Sequence, residues 1–236
     1  LSLILMKIIF SFLLSLFFTV LIFAQGGNVK RNILYVGNSY TYVNNLPDLV
    51  YQLGLASGDS LFYDSSTPGG YTFQLHSTDA NTISKINSQN WDYVILQAQS
   101  QEPSLDPNTV NTNTLPYALR LDSFINANNS CTRTVFFETW GRKYGDAQNC
   151  GMYPPVCTFP GMQQRLKESY KIFADTCDGI ISPVGEAYKL SRQLDSTINL
   201  YQRDFSHPSL EGSYLAACVF YQIFTHKNVL GNTFWG

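Results

Sequence analysis

The sequence predicts one doubly wound, three-layer α/β/α domain built on about five parallel strands. Three observations predict it. Short apolar runs alternate with stretches of helical length, as repeated β-α units require. The runs are nearly continuous in Val, Ile, Leu and aromatic residues, which is the pattern of strands covered on both faces. No internal repeat, low-complexity linker or composition shift divides the chain, so a single core is expected.

The first 24 residues are set apart from that domain. Lys7 precedes an apolar stretch over 8–23, broken only by Ser11, Ser15 and Thr19, and Ala24 supplies a small residue before Gln25. This is the pattern of a secretory signal cleaved near Ala24, with a membrane anchor as the alternative, since a spanning helix needs ~20 apolar residues. The expected domain is then 25–236, or 236 − 24 = 212 residues. No Cys stands directly after the cleavage point, so a lipid anchor is not indicated, and cleavage of the signal is expected to leave no stable membrane anchor.

Along the domain, 33–36 reads as the first strand, ending abruptly in Gly37-Asn38-Ser39. A helix follows over 46–53, with Pro47 near its start and Gly54 at its end. Residues 60–63 form a second strand, 71–86 are mixed and helical in parts, and 91–97 form a third strand. A helix over 115–125 leads to a fourth strand over 133–140, then a polar, glycine-rich loop to Thr158. Helix 162–173, strand 180–184 and helix 186–194 come next. The chain closes with a long apolar helix over 208–224, with Pro208 in its first turn. The loops after Val36, Tyr63, Leu96 and Phe137 should open on one edge of the sheet, bringing Ser39, Gly70, 97–99 and 138–142 face to face.

Composition narrows the partners. The formal charge of −2 becomes −3 without Lys7, and no basic cluster remains, which argues against nucleic acid. Asn, Ser, Thr, Gln and Tyr are abundant while charged residues make up 14 %, a composition common on exported proteins that meet sugars. Of five cysteines, Cys150 and Cys157 bracket a short Pro-containing loop and are expected to pair. Cys131 and Cys177 each precede an apolar run and are expected to form a second disulfide, with Cys218 a buried free thiol. The absence of C-x-x-C spacing and the presence of only three histidines speak against a metal site.

Ser39 sits just past the end of the first strand, where open α/β sheets place their ligands, and a serine there can act as a nucleophile if a base reaches it. His226 falls at the far end of the last helix, in a surface or C-cap position. His76 and Asp79 read as a solvated pair on a helix. Asp204-Phe205-Ser206-His207 differs, because on a turn the Asp carboxylate can reach Nδ1 and leave Nε2 for Ser39. The plainer alternative is an N-cap arrangement.

Gly37-Asn38-Ser39-Tyr40 after an apolar strand, then Gly70, then Gln97-Ala98-Gln99-Ser100, then Asp204 to His207, resembles the GDSL-like, or SGNH, hydrolase superfamily. The four blocks keep that family's order along nearly the whole domain. The resemblance implies a serine esterase or acyl hydrolase in a flavodoxin-like fold, needing no metal or organic cofactor. It implies Ser39 as nucleophile, His207 as base and Asp204 as acid. It also implies oxyanion donors at the Ser39 and Gly70 backbone N–H groups, with Gly69 the off-by-one alternative to Gly70. The family's asparagine is missing from the third block. Gln99 stands in its place, with Gln97 a second choice, and either offers an amide donor on a longer stem. The sequence particularly resembles exported members that carry glutamines in this block.

The substrate expected is a small-molecule or polysaccharide ester, most specifically O-acetylated carbohydrate. Trp140 and Arg142 could wall the cleft, Trp as a sugar platform and Arg for an anionic group. Equally, Trp140 could be a core lid and Arg142 the partner of Glu138 or Asp146. Rival readings are a lipid- or thioester-directed hydrolase with the same triad, and a non-catalytic carbohydrate-binding protein. Glu102 and Glu138 could geometrically serve a glycoside hydrolase, but their spacing does not specify one.

Overall fold

The computed structural model describes residues 27–235. Five strands form one parallel sheet: β1 (Lys30–Val36), β2 (Ser60–Ser66), β3 (Tyr93–Leu96), β4 (Arg133–Phe137) and β5 (Ile180–Ser182). Their spatial order is β2-β1-β3-β4-β5, so the order reverses beside β1. The helices are α1 (Ser39–Tyr42), α2 (Leu46–Ala56), α3 (Phe73–His76), α4 (Ala80–Ile86), α5 (Pro107–Asn113), α6 (Leu115–Asn128), α7 (Phe159–Cys177), α8 (Val184–Leu194) and α9 (Leu210–Thr225).

The period of two along β1 separates two cores. Ile33 and Tyr35 face α2, α8 and α9, packing with Leu53, Tyr188, Phe220 and Phe224. Leu34 and Val36 face the other way, toward α6 and α7, with Leu121, Ile125, Leu166 and Phe173. Both faces of β1 are therefore buried, which is why its sequence reads as a continuous apolar run.

Several boundaries differ from the sequence reading, each for a local reason. The stretch 71–86 resolves into α3 and α4, because Thr72 and Asp79 each cap a fresh start by accepting from Leu75 N and Thr82 N. Helix α5 was not anticipated, although Asp106-Pro107 is a capping signature: Asp106 Oδ1 accepts from the N–H groups of Asn108 and Thr109. Helix α7 begins at Phe159, capped by Thr158. Helix α9 begins at Leu210 rather than 208, because Ser209 caps it and Pro208 stays outside in a bridge with Tyr201.

The Cys150–Cys157 disulfide is present. The expected Cys131–Cys177 pair is not formed. Cys131 lies exposed in the turn before β4, whereas Cys177 sits at the end of α7 against the apolar core, so the two thiols occupy different environments. Burial pushes the Cys177 thiol up to about 12. Cys218 is free and half-buried in α9. The expected signal segment lies outside the described residues. Among the described residues no helix is long and apolar enough to cross a membrane.

Candidate active site

The turn that carries Ser39 is made by packing that excludes any side chain at one position. A Cβ on Gly37 would lie 2.6 Å from Thr41 Oγ1 and 2.7 Å from Gln97 Oε1, so the turn closes only with glycine. Asn38 follows as the N-cap of α1, its Oδ1 accepting from Tyr40 N at 3.2 Å. Its Nδ2 donates to Tyr71 O at 2.9 Å, which ties the turn to the Gly69-Gly70 segment.

Gln97 completes the brace. Its Oε1 accepts from Asn38 N and Thr41 Oγ1, both at 2.9 Å. Its Nε2 donates to Asn38 Oδ1 at 2.9 Å and to the Ala98 carbonyl. Fully buried and with both N–H protons committed, Gln97 has no donor left for a ligand. Of the two glutamines, it is the one that builds the turn.

Ser39 is the first residue of α1, so its N–H has no intrahelical acceptor. Among the described residues nothing else accepts from it, nor from Gly70 N. Gly70 adopts φ +73°, a backbone region that favours glycine, and open space surrounds its Cα where a side chain would point.

Asp204, Phe205, Ser206 and His207 arrive from the opposite side. His207 Nε2 lies 2.8 Å from Ser39 Oγ, and its Nδ1 lies 2.5 Å from Asp204 Oδ2. Asp204 Oδ1 accepts from Ser206 N and His207 N, both at 3.0 Å, which locks the acid to its own turn. Burial pushes the Asp204 carboxyl up, but the hydrogen bonds from His207 and the two backbone N–H groups outweigh it and hold it below the usual carboxylate value. An ionised Asp on Nδ1 fixes the tautomer in which Nε2 can accept the serine proton.

Tyr40 and Asn44, to which sequence reasoning gave no role, hold this loop in place together with Trp140. Tyr40 Oη lies 2.7 Å from Ser206 Oγ, and Trp140 Nε1 donates to Ser206 O at 3.0 Å. Asn44 Nδ2 donates to the carbonyls of Pro208 and Ser209. Asn44 and Asn45 have φ +55° and +52°, and the doubled asparagine was the available signal for that left-handed turn.

Trp140 is not a cleft wall. It is fully buried, stacked between Tyr40 at 4.6 Å and Tyr188 at 4.3 Å, so no face is left for a ligand. Arg142 does line the cleft and also pairs with Asp146 at 3.4 Å. His76 is not solvated: buried, it donates through Nε2 to Gly37 O at 2.8 Å, and burial lowers its basicity. His226 is the C-cap of α9. Glu138 is buried, accepting from Gln163 at 3.0 Å, and neither it nor Glu102 lines the cleft.

The cleft has a volume of about 360 Å³ and opens where Ser39, His207, Gly69, Gly70, Gln99 and Arg142 meet. Tyr40, Tyr42, Asn38, Ser100 and Ser206 complete it, so none of its lining side chains is aliphatic. Gln99 Oε1 is used by Gln101 N and Glu102 N, while its Nε2 makes one long contact of 3.5 Å to Gln101 Oε1. The arrangement provides a hydroxyl, an imidazole within reach and N–H donors around one small volume, the parts that acyl transfer requires. Among the described residues no group of His, Cys, Asp and Glu could hold a metal ion.

No protein-family model matches the chain, and no curated protein matches it. Solved structures do. A DUF4886 family protein from Bacteroides uniformis superposes with a TM-score of 0.74 at 19 % identity, covering 88 % of this chain and 87 % of its own. A protein from Slackia heliotrinireducens, named as a candidate SGNH hydrolase, gives 0.65 at 24 % identity over 82 % and 98 %. An acetyl xylan esterase, AlAXEase, gives 0.56 at 12 % identity over 81 % and 98 %. The three-layer fold with its five parallel strands is the fold of SGNH and GDSL-like hydrolases.

Proposed function

We propose that this chain is an exported serine esterase that removes short acyl groups, most specifically acetyl, from hydroxyls of carbohydrate. One observation carries the chemistry: the hydrogen-bonded chain from Ser39 Oγ through His207 to Asp204 at the mouth of the cleft. In the first step Ser39 Oγ attacks the ester carbonyl while His207 Nε2 takes its proton. The Ser39 and Gly70 N–H groups and the Gln99 amide receive the oxyanion. Collapse breaks the bond to the alcohol oxygen, which leaves with the proton from His207. Water then attacks the acyl-serine, with His207 again as base, and carboxylic acid and free Ser39 result.

The lining of the cleft supports a short acyl group over a lipid chain, since it offers no aliphatic wall for extended hydrocarbon to bury against. The Cys150–Cys157 disulfide supports an oxidising compartment and hence export. The likeness of fold to an acetyl xylan esterase is in keeping with the substrate.

Replacing Ser39 by Ala should lower turnover of 4-nitrophenyl acetate by at least ~10³-fold with the fold intact by circular dichroism. Turnover at the wild-type rate would remove Ser39 from the chemistry. Wild-type protein should also prefer acetyl to octanoyl esters in kcat/KM, and the reverse preference would transfer the reading to a lipid-directed hydrolase.

A further inference from the structure

Phe205 stands between the acid and the base, at φ +60°. An aromatic residue gains nothing from the left-handed region, so its backbone is held there by its surroundings at a cost in free energy. Burial of its ring does not compensate, because Phe205 is 44 % exposed. Beside it Tyr144 is 64 % exposed, and the two rings meet edge to face at 4.9 Å. Lys143 Nζ lies 5.8 Å from the Tyr144 ring centre and 5.7 Å from that of Phe205, and Lys143 N donates to Phe205 O at 2.8 Å. Among the described residues Lys143 has no carboxylate partner, in contrast to Arg142 next to it.

The patch continues the rim of the cleft. Arg142 and Ser206 line it, and Lys143 and Phe205 are their immediate chain neighbours. Its chemistry is that of a sugar site bearing a charge: two exposed rings for the C–H face of a pyranose, and one unpaired ammonium for an anionic substituent. Its position also selects the part of the substrate it can meet. His207 protonates the leaving oxygen, so the alcohol portion of the ester leaves across the Asp204–His207 turn, from which Phe205 projects.

We propose that Lys143, Tyr144 and Phe205 form a subsite for an acidic sugar residue on the alcohol side of the ester. This rests on the esterase reading above. The substrate class is then an O-acetylated polysaccharide carrying carboxylate or sulfate groups, with the anion seated at Lys143 and a neighbouring ring on Tyr144 and Phe205.

The test separates binding from catalysis by using the full-length Ser39→Ala protein. Calorimetric titration compares an O-acetylated oligosaccharide carrying one uronic acid with a neutral one of equal length. The acidic ligand should bind about threefold to tenfold more tightly, and the advantage should shrink at high salt. Lys143→Gln in the same background should abolish the preference. Tyr144→Ala should weaken both ligands by a similar factor. So should Phe205→Asn, since Asn tolerates the left-handed backbone and removes only the ring. Equal affinity for the two oligosaccharides, undiminished affinity in Tyr144→Ala, or no measurable binding at millimolar ligand would each overturn the subsite. So would loss of octanoyl rather than acetyl ester turnover when Tyr144→Ala is made in the active protein, because the occupant would then be the acyl chain. Wild-type turnover by Ser39→Ala is a different result: it ends the esterase reading while leaving the affinities as measured.

Discussion

Two glutamines two residues apart do opposite work. Gln97 spends every polar atom on the turn that carries Ser39, whereas Gln99 keeps an amide N–H with only one long contact beside the cleft. Replacing Gln99 by Ala should therefore lower kcat on 4-nitrophenyl acetate by about 10²–10³-fold with little change in KM, the signature of a donor used mainly in the transition state. Replacing Gln97 by Ala should instead lower thermal stability, because it strands the buried Asn38 N–H and the Thr41 hydroxyl, both of which donate to Gln97 Oε1. A Gln99→Ala protein with wild-type kcat would leave the oxyanion to the Ser39 and Gly70 N–H groups alone. Only the resemblance of the third block ranked Gln99, which lines the cleft, before Gln97; the residues themselves did not separate them. Both follow the same strand, both carry the same donor, and only the contact of Gln97 with Asn38 and Thr41 distinguishes them.

Elements that carry a local signal were legible; those defined by long-range packing were not. The apolar run of β1, the Asp204 to His207 turn and the Cys150–Cys157 loop each announce themselves within ten residues. Trp140 closes the strand expected over 133–140, but β4 ends at Phe137, and the burial of Trp140 depends on Tyr40 and Tyr188, each contributed by a helix distant in sequence. Cys131 and Cys177 were matched by their positions before β4 and β5, but a thiol at the end of α7 points by the helix rather than by the strand that follows. The loop between β4 and α7 is where element-scale stability can be tested. It is closed by the Cys150–Cys157 bond, the Asp146 N to Val156 O hydrogen bond of 2.7 Å, and the Asp146 carboxylate, which gathers Gln101, Asn149 and Arg142. Closing so short a loop contributes about 2–3 kcal/mol in the chain-entropy picture. Changing both Cys150 and Cys157 to Ser should lower unfolding free energy by that amount in chemical denaturation. An unchanged midpoint would mean that the Asp146 network alone holds the loop.

At the scale of the molecule, burial leaves two carboxyls in an awkward position. Glu138 lies just past β4, buried, its carboxyl pushed up to about 7 by burial first and by the Glu186 carboxylate second. Burial pushes Glu102 up to about 7 as well. A carboxyl raised above its ordinary value of 4.5 keeps its proton in the folded chain after the unfolded chain has released it. Folding then binds protons, so stability falls as pH rises from about 4.5 through 7 and levels off above that. Glu138→Gln removes this penalty, since the amide can still accept from Gln163 Nε2 but cannot ionise. The variant should be more stable than wild type by roughly 1–3 kcal/mol at pH 8 and should show no gain near pH 4.5, as measured by urea denaturation at both values. An equal gain at both would trace the effect to packing rather than ionisation.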